Sequence, residues 1–329
     1  MTTPGAGASG EDDLIARYFR PLATDPGAFG LIDDAALLNH TGDDLIVTTD
    51  AIVEGVHFLP DDPPDTIARK ALRVNLSDLA AKGAVPAGFV LTLALRDAKE
   101  QWLAPFARAL GEDAAVFDCP VLGGDTVSTP GPLMISITAF GRVPPGRMVR
   151  RTGAKPGDRI AVTGSIGDAA LGLRILKRQI EGLDTSSREF LTQRYRVPQP
   201  RNALAVAIRE HASAAMDVSD GLAGDLAKLC TASGISASID LMDVPLSAQA
   251  RALVAKGSSS MEAIVSGGDD YEVVCAIPEN RWDSFLAAAR KVNVQVTGIG
   301  KVETGAAAPR FLDAAGNPVA LKRLSYSHF

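Results

Sequence analysis

The chain has 329 residues, 46% hydrophobic and 22% charged, the composition of a soluble globular protein too long for one ordinary core. A formal net charge of −6 and a pI of about 5.3 exclude nucleic acid as a main partner, and no apolar stretch is long enough to span a bilayer. Phosphorylated substrates stay open, because bound divalent cations can invert the local field.

Taken in order, Met1 to Gly10 is a small-residue stretch without an apolar signal core, so a cytoplasmic location is expected. Glu11 to Phe19 reads as a short amphipathic helix, and Leu31 to Leu38 as a strand with the acidic pair Asp33-Asp34 at its mouth. Leu45 to Val47 reads as the end of a buried strand that exits into Thr48, Thr49 and Asp50. Asp65 is expected to cap a helix through Lys82 closed by Gly83, with Asn75 and Asp78 on one face. Arg69, Lys70 and Arg73 read as the solvated side of that helix. A second helix over residues 100–116 contains Pro105, which should shorten or kink it. Residues 120–126 read as strand then turn, and Leu133 to Val143 as a long strand ending in Pro144-Pro145-Gly146.

The basic, Gly- and Pro-containing stretch 147–158 is the expected domain junction, giving domains 1–150 and 151–329. Beyond it, strands are expected at 159–163, 214–218, 236–241, 271–277 and 294–302, and helices at 168–179, 201–211, 222–233 and between the last two strands. Regular βα alternation is missing, so the fold class is α+β rather than a doubly wound sheet. Cys119, Cys230 and Cys275 are scattered, as buried thiols in a reducing compartment would be.

Five segments share one design, small residues followed by aspartate next to an apolar run. They are Asp33-Asp34, Thr48-Thr49-Asp50, Gly123-Gly124-Asp125-Thr126, residues 217–221 with Asp217, Ser219 and Asp220, and residues 266–272 with Asp269. Asp78 adds a carboxylate on a helix. Each alone is a turn signal. Together they supply hard oxygen ligands suited to Mg²⁺, and their mutual repulsion would be relieved by metal and by nucleotide phosphates. No P-loop, kinase catalytic loop, HExxH or GxSxG motif is present, and no two histidines have zinc-ligand spacing. His57, one strand length past Asp50, is a candidate for a substrate phosphate or pyrimidine.

These segments, with Val74 to Ala81, Arg151 to Asp158 and Tyr326 to Phe329, resemble the thiamine-monophosphate kinase family of the PurM-like superfamily over nearly the whole chain. The resemblance implies a two-domain PurM-like α+β fold and ATP- and Mg²⁺-dependent conversion of thiamine monophosphate to thiamine diphosphate. It also implies a homodimer paired through the N-terminal sheets. By position it implies metal ligands at Asp33, Thr48, Thr49, Asp50, Asp78, Asp125, Asp217 and Asp220. Nucleotide contacts fall at Gly124, Asp125, Arg151 and Ser219, and substrate contacts at His57, Asp269 and Tyr326. Three positions depart from the family pattern: Ile32 where glycine is usual, Asp269 where glutamate is common, and Tyr326 near where an indole often stands.

Relatives on the same scaffold remain as rivals. A selenophosphate synthetase would want a cysteine near its N-terminus, and the hydrogenase-maturation dehydratase one at its C-terminus; this chain has neither. An aminoimidazole ribonucleotide synthetase-like enzyme, or a metal-dependent nucleotide sensor without catalysis, stays open.

Overall fold

The computed structural model describes residues 14–26, 42–322 and 324. Two compact units emerge: residues 1–75 with 86–142, and residues 76–85 with 143–329. The chain therefore changes unit at 142/143, and the segment 76–85 belongs to the second unit although its neighbours on both sides belong to the first. No helix among the described residues is long and apolar enough to cross a membrane.

The first unit holds a four-stranded sheet in the order β1 (Asp44–Val53), β4 (Met134–Val143), β2 (Val85–Leu95), β3 (Val121–Ser128). Along β4 burial alternates strictly, with Ile135, Ile137, Ala139 and Val143 inward. That is the signature of a sheet with one buried face. Helix α1 (Pro64–Ala81) starts two residues earlier than a cap at Asp65 would give. Pro64, with its fixed φ, takes the first turn, so Asp65 lies inside the helix rather than capping it. Gly83 at φ +71 ends it, its amide bonding to Ala80 O while that of Ala84 reaches Leu79 O. Helix α2 (Glu100–Val116) runs its full expected length through Pro105. Burial of Leu103, Phe106, Ala107 and Leu110 offsets the one lost backbone bond.

Three sequence expectations are corrected here. The β1 strand does not end at Val47 but continues to Val53, and it is an exposed edge, with Leu45 40% and Val47 56% accessible. Gly123 to Thr126 is not a turn but the middle of β3, paired in parallel with β2 so that Gly124 faces Leu91 and Asp125 faces Thr92. The basic face of α1 is not solvated. Arg73 Nε lies 2.5 Å from Asp113 Oδ2, Arg69 bonds the same carboxylate, and Asp113 is fully buried. Lys70, 1% exposed, donates to His57 O at 2.8 Å.

The second unit holds a seven-stranded sheet in the order β11-β10-β7-β9-β5-β8-β6. Its strands are β5 (Arg159–Thr163), β6 (Ala214–Val218), β7 (Ser236–Asp240), β8 (Glu272–Ile277), β9 (Val296–Glu303), β10 (Arg310–Leu312) and β11 (Pro318–Val319). Pairing is antiparallel except between β7 and β10. Ile160, Val162, Met216, Val218 and Val274 join one core, while Ala161, Ala215, Val273, Cys275 and Ile277 join a second. Alternate residues of the same strands thus feed opposite faces, and a sheet covered on both sides explains why β5, β6 and β8 are buried along almost their whole length. The helices are α3 (Asp168–Leu176), α4 (Thr185–Arg196), α5 (Ala205–His211), α6 (Leu222–Ser233), α7 (Ala248–Ala255), α8 (Met261–Val265) and α9 (Trp282–Lys291). Both units together make the α+β class expected from the sequence. All three cysteines are free and buried, and burial pushes their thiols up, to about 12 at Cys119 and Cys275 and about 11 at Cys230.

Candidate active site

In the first unit, β1 carries Thr48, Thr49 and Asp50 in mid-strand. Thr49 Oγ1 donates to Ile137 O at 3.2 Å and accepts from Thr138 Oγ1 at 3.0 Å, so its hydroxyl is held against β4. The Asp50 amide donates to Asn75 Oδ1 at 3.0 Å, and Asn75 is itself fully buried on α1. That bond fixes the backbone of a residue that is otherwise exposed. His57 Nδ1 accepts the Val53 amide at 3.0 Å, which places the proton of a neutral ring on Nε2. Gly124 and the exposed Asp125 stand on β3, the opposite edge of the sheet. With β4 and β2 between them, the β1 and β3 groups are on the order of 14 Å apart by ordinary strand spacing. Gly124 is required by the pairing itself, since a Cβ there would lie 2.1 Å from Leu91 O.

In the second unit, two loops at one end of the sheet are laced together. The Asp269 amide bonds Ser219 O at 2.7 Å, and the Tyr271 amide bonds Val218 O at 2.8 Å. Both residues sit at positive φ, +72 and +50. Gly221 and Gly268 allow this approach, because a Cβ on either would lie under 3.0 Å from backbone of the facing loop. Asp225, on the first turn of α6, holds the loop from below: its Oδ2 accepts the amides of Ser219 and Asp220, both at 2.9 Å. Lys228 Nζ bridges Asp220 Oδ2 at 2.6 Å and Asp225 Oδ1 at 2.8 Å.

Beside these loops Asp78, Arg151 and Asp217 share a field around Lys82, whose Nζ donates to Ala215 O at 2.9 Å. Burial, with Arg151 adding to it, brings the Lys82 ammonium down to about 8 against the pull of the two aspartates. The carboxylates of residues 269–272 have separate duties. Asp270, 1% exposed, accepts the amides of Gly167 at 2.7 Å and Ala169 at 3.4 Å and so caps α3; burial holds its carboxyl well above the usual range. Glu272, fully buried, takes Thr163 Oγ1 and Arg201 Nε at 2.6 Å each and Arg194 Nη2 at 2.9 Å.

The structure thus brings together Asp78, Arg151 and Asp217 on one hand, and Ser219, Asp220 and Asp269 on the other. It places Thr48, Thr49, Asp50 and His57 apart from Gly124 and Asp125. Asp33 and Tyr326 lie outside the described residues. A cavity of about 980 Å³ elsewhere in the second unit, lined by Ser165, Phe190, Arg194, Arg201 and Ser247 among others, includes none of the expected site residues.

Residues 32–143 match the AIR synthase related protein N-terminal domain and residues 155–308 its C-terminal domain. A thiamine-monophosphate kinase of Caulobacter vibrioides is 44% identical, over 99% of this chain and 92% of its own. The chain belongs to the thiamine-monophosphate kinase family. Among solved structures of the family, the enzyme of Stenotrophomonas maltophilia K279a superposes with a TM-score of 0.82 at 35% identity, over 94% of this chain and 96% of the other. AaThiL, complexed with AMPPCP and TMP, superposes at 0.77 and 31%, over 92% and 97%.

For a member of this family the implied metal can be tested against the donors present. Every expected ligand offers oxygen, which suits a hard cation such as Mg²⁺. Two pairs of carboxylates in the second unit have a lysine at hand, Lys82 beside Asp78 and Asp217, and Lys228 between Asp220 and Asp225. With two carboxylates to one lysine in each pair, negative charge stays in excess there, and the all-oxygen donors fit a hard divalent cation. Among the described residues no three His, Cys, Asp or Glu side chains are close enough to hold an ion alone. Mg²⁺ commonly completes such partial sets with phosphate oxygens and water. Sequence reasoning missed Asp225, Lys228 and Lys82. A carboxylate five residues past Asp220, at the start of a helix, was the signal available for Asp225; the lysines gave none.

Proposed function

We propose that this protein transfers the γ-phosphoryl group of ATP to the phosphate of thiamine monophosphate, giving thiamine diphosphate and ADP by single in-line displacement. The observation that carries this reading is the laced pair of loops, which sets Ser219, Asp220 and Asp269 at one end of the second sheet, just beyond Asp217 on β6. Ser219, Arg151, Gly124 and Asp125 would contact the nucleotide, and His57, Asp269 and Tyr326 the thiamine phosphate. Asp33, Thr48, Thr49, Asp50, Asp78, Asp125, Asp217 and Asp220 would hold Mg²⁺, which would supply charge neutralisation between the two phosphate groups when bound.

A phosphate monoester is already ionised near neutral pH, so the acceptor needs no strong base. What the chain must supply is position and charge balance. Asp225 keeps the Ser219 and Asp220 amides in one direction, and Gly221 and Gly268 bring backbone close enough to approach phosphate oxygens. His57, with Nδ1 occupied, offers an Nε2 proton as a donor to an anionic substrate. We further propose that the protein works in the cytoplasm, and as a homodimer paired through the first sheet, whose β1 edge exposes Leu45 and Val47.

An ADP-release assay across thiamine, thiamine monophosphate and aminoimidazole precursors tests the substrate. A signal with thiamine monophosphate alone is expected. Release with an aminoimidazole precursor would replace the reading with the synthetase-like one, and ATP binding without release would make the protein a sensor.

A further inference from the structure

Lys228 stands on the outer face of α6, with a side chain 44% exposed, and its ammonium is shared by two unequal carboxylates. Asp225 is fully buried, and its second oxygen is already taken by two amides. It cannot leave. Asp220, one third exposed, lies at the open end of the loop and can turn towards a ligand. A metal ion bonded to Asp220 would sit about 2.1 Å from its oxygen, within a few ångström of the ammonium that now holds that oxygen at 2.6 Å. Two cations so close repel, and a flexible lysine stem can withdraw along the buried partner without losing its counter-charge.

We infer that Lys228 is a resident counter-ion for Asp220, displaced when a divalent cation binds and kept at hand by Asp225, so that it weakens metal affinity in the nucleotide-free protein. The lysine thereby lowers the negative charge of the loop and holds its shape when no metal is present, and makes metal uptake depend on the additional negative charge of bound nucleotide. This inference rests on Asp220 being a metal ligand.

The test is Mn²⁺ binding to the full-length, nucleotide-free protein, read from the EPR signal of free Mn²⁺, in wild type and in K228M, K228Q, K228R and D220N. The expected result is a dissociation constant about tenfold lower in K228M and K228Q, with K228R near wild type. Melting curves in chelator and in Mn²⁺ should show the complementary pattern: K228M and K228Q melt below wild type without metal and regain more on adding it. A lysine that merely pins the helix surface would lower the chelator melting point and leave Mn²⁺ affinity unchanged. Unchanged or weaker affinity in K228Q overturns the inference, and K228Q answers the question even where K228M folds poorly. Wild-type affinity in D220N would instead remove the ligand assignment itself.

Discussion

Asp225 Oδ2 lies 2.9 Å from the amide of Ser219, and the same oxygen also accepts the amide of Asp220. One buried carboxylate therefore sets the direction of two consecutive amides of the loop. Asp225→Ala leaves two amides without a partner and should cost on the order of 3 kcal/mol, visible as a lower urea midpoint. With the loop released, KM for ATP should rise at least tenfold. An unchanged midpoint would show that the loop holds its shape without this anchor.

Gly124 and Gly123 make a paired test of why the Gly-Gly-Asp segment is built as it is. A Cβ on Gly124 would lie 2.1 Å from Leu91 O, whereas one on Gly123 meets nothing nearer than Val90 Cγ1 at 4.0 Å. Gly124→Ala should destabilise by about 3 kcal/mol or more, and Gly123→Ala by less than about 1 kcal/mol. Thermal melts of the two variants give the comparison, and equal effects would contradict the parallel β2–β3 register.

Asp270 gives a stability effect that depends on pH. Burial raises its folded-state pKa above the ordinary value of 3.8, so the folded protein keeps this proton to higher pH than the unfolded chain. The group's contribution is fully present below 3.8 and is lost as pH rises through the raised value. Asp270→Asn keeps an acceptor for the Gly167 amide and removes the titration. The stability of the variant relative to wild type should therefore climb as pH rises above 3.8 in urea unfolding. Parallel curves would mean that Asp270 is charged in the folded protein.

Asp125 is exposed on β3 and braces nothing in the sheet beyond its backbone pairing with Thr92. Asp125→Ala should remove metal-dependent ADP release while leaving the circular dichroism spectrum and melting point within error of wild type. Turnover near the wild-type rate would defeat its assignment as a metal and nucleotide ligand.

Where sequence and structure agree, local chemistry and tertiary environment ask for the same thing. The alternating run of β4 and the helix of residues 222–233, closed by Gly234 at φ +66, are examples. The helix Thr185–Arg196 was not legible, because only Leu191 and Tyr195 on it are buried and the rest is polar. Its cap, Asp184 accepting from the Ser187 amide, was the one local clue. Gly123-Gly124 read as a turn because two glycines usually make one; parallel pairing with β2 draws them into a strand instead. Lys70 reads as a solvated charge and Lys228 gives no signal, and only the fold supplies His57 O and Asp220 as their partners. The acidic segments were visible from composition and spacing. Which carboxylates brace the fold, as Asp270 and Glu272 do, and which face outward could be told only from their neighbours.

The central claim is direct transfer between two phosphate-bearing ligands, and the fate of an isotopically chiral γ-phosphoryl group in ATP tests it most directly. The account predicts that the label appears as the terminal phosphoryl of thiamine diphosphate with inverted configuration, one per ADP formed. Retention of configuration, or label released as free phosphate with thiamine monophosphate unchanged, would contradict it.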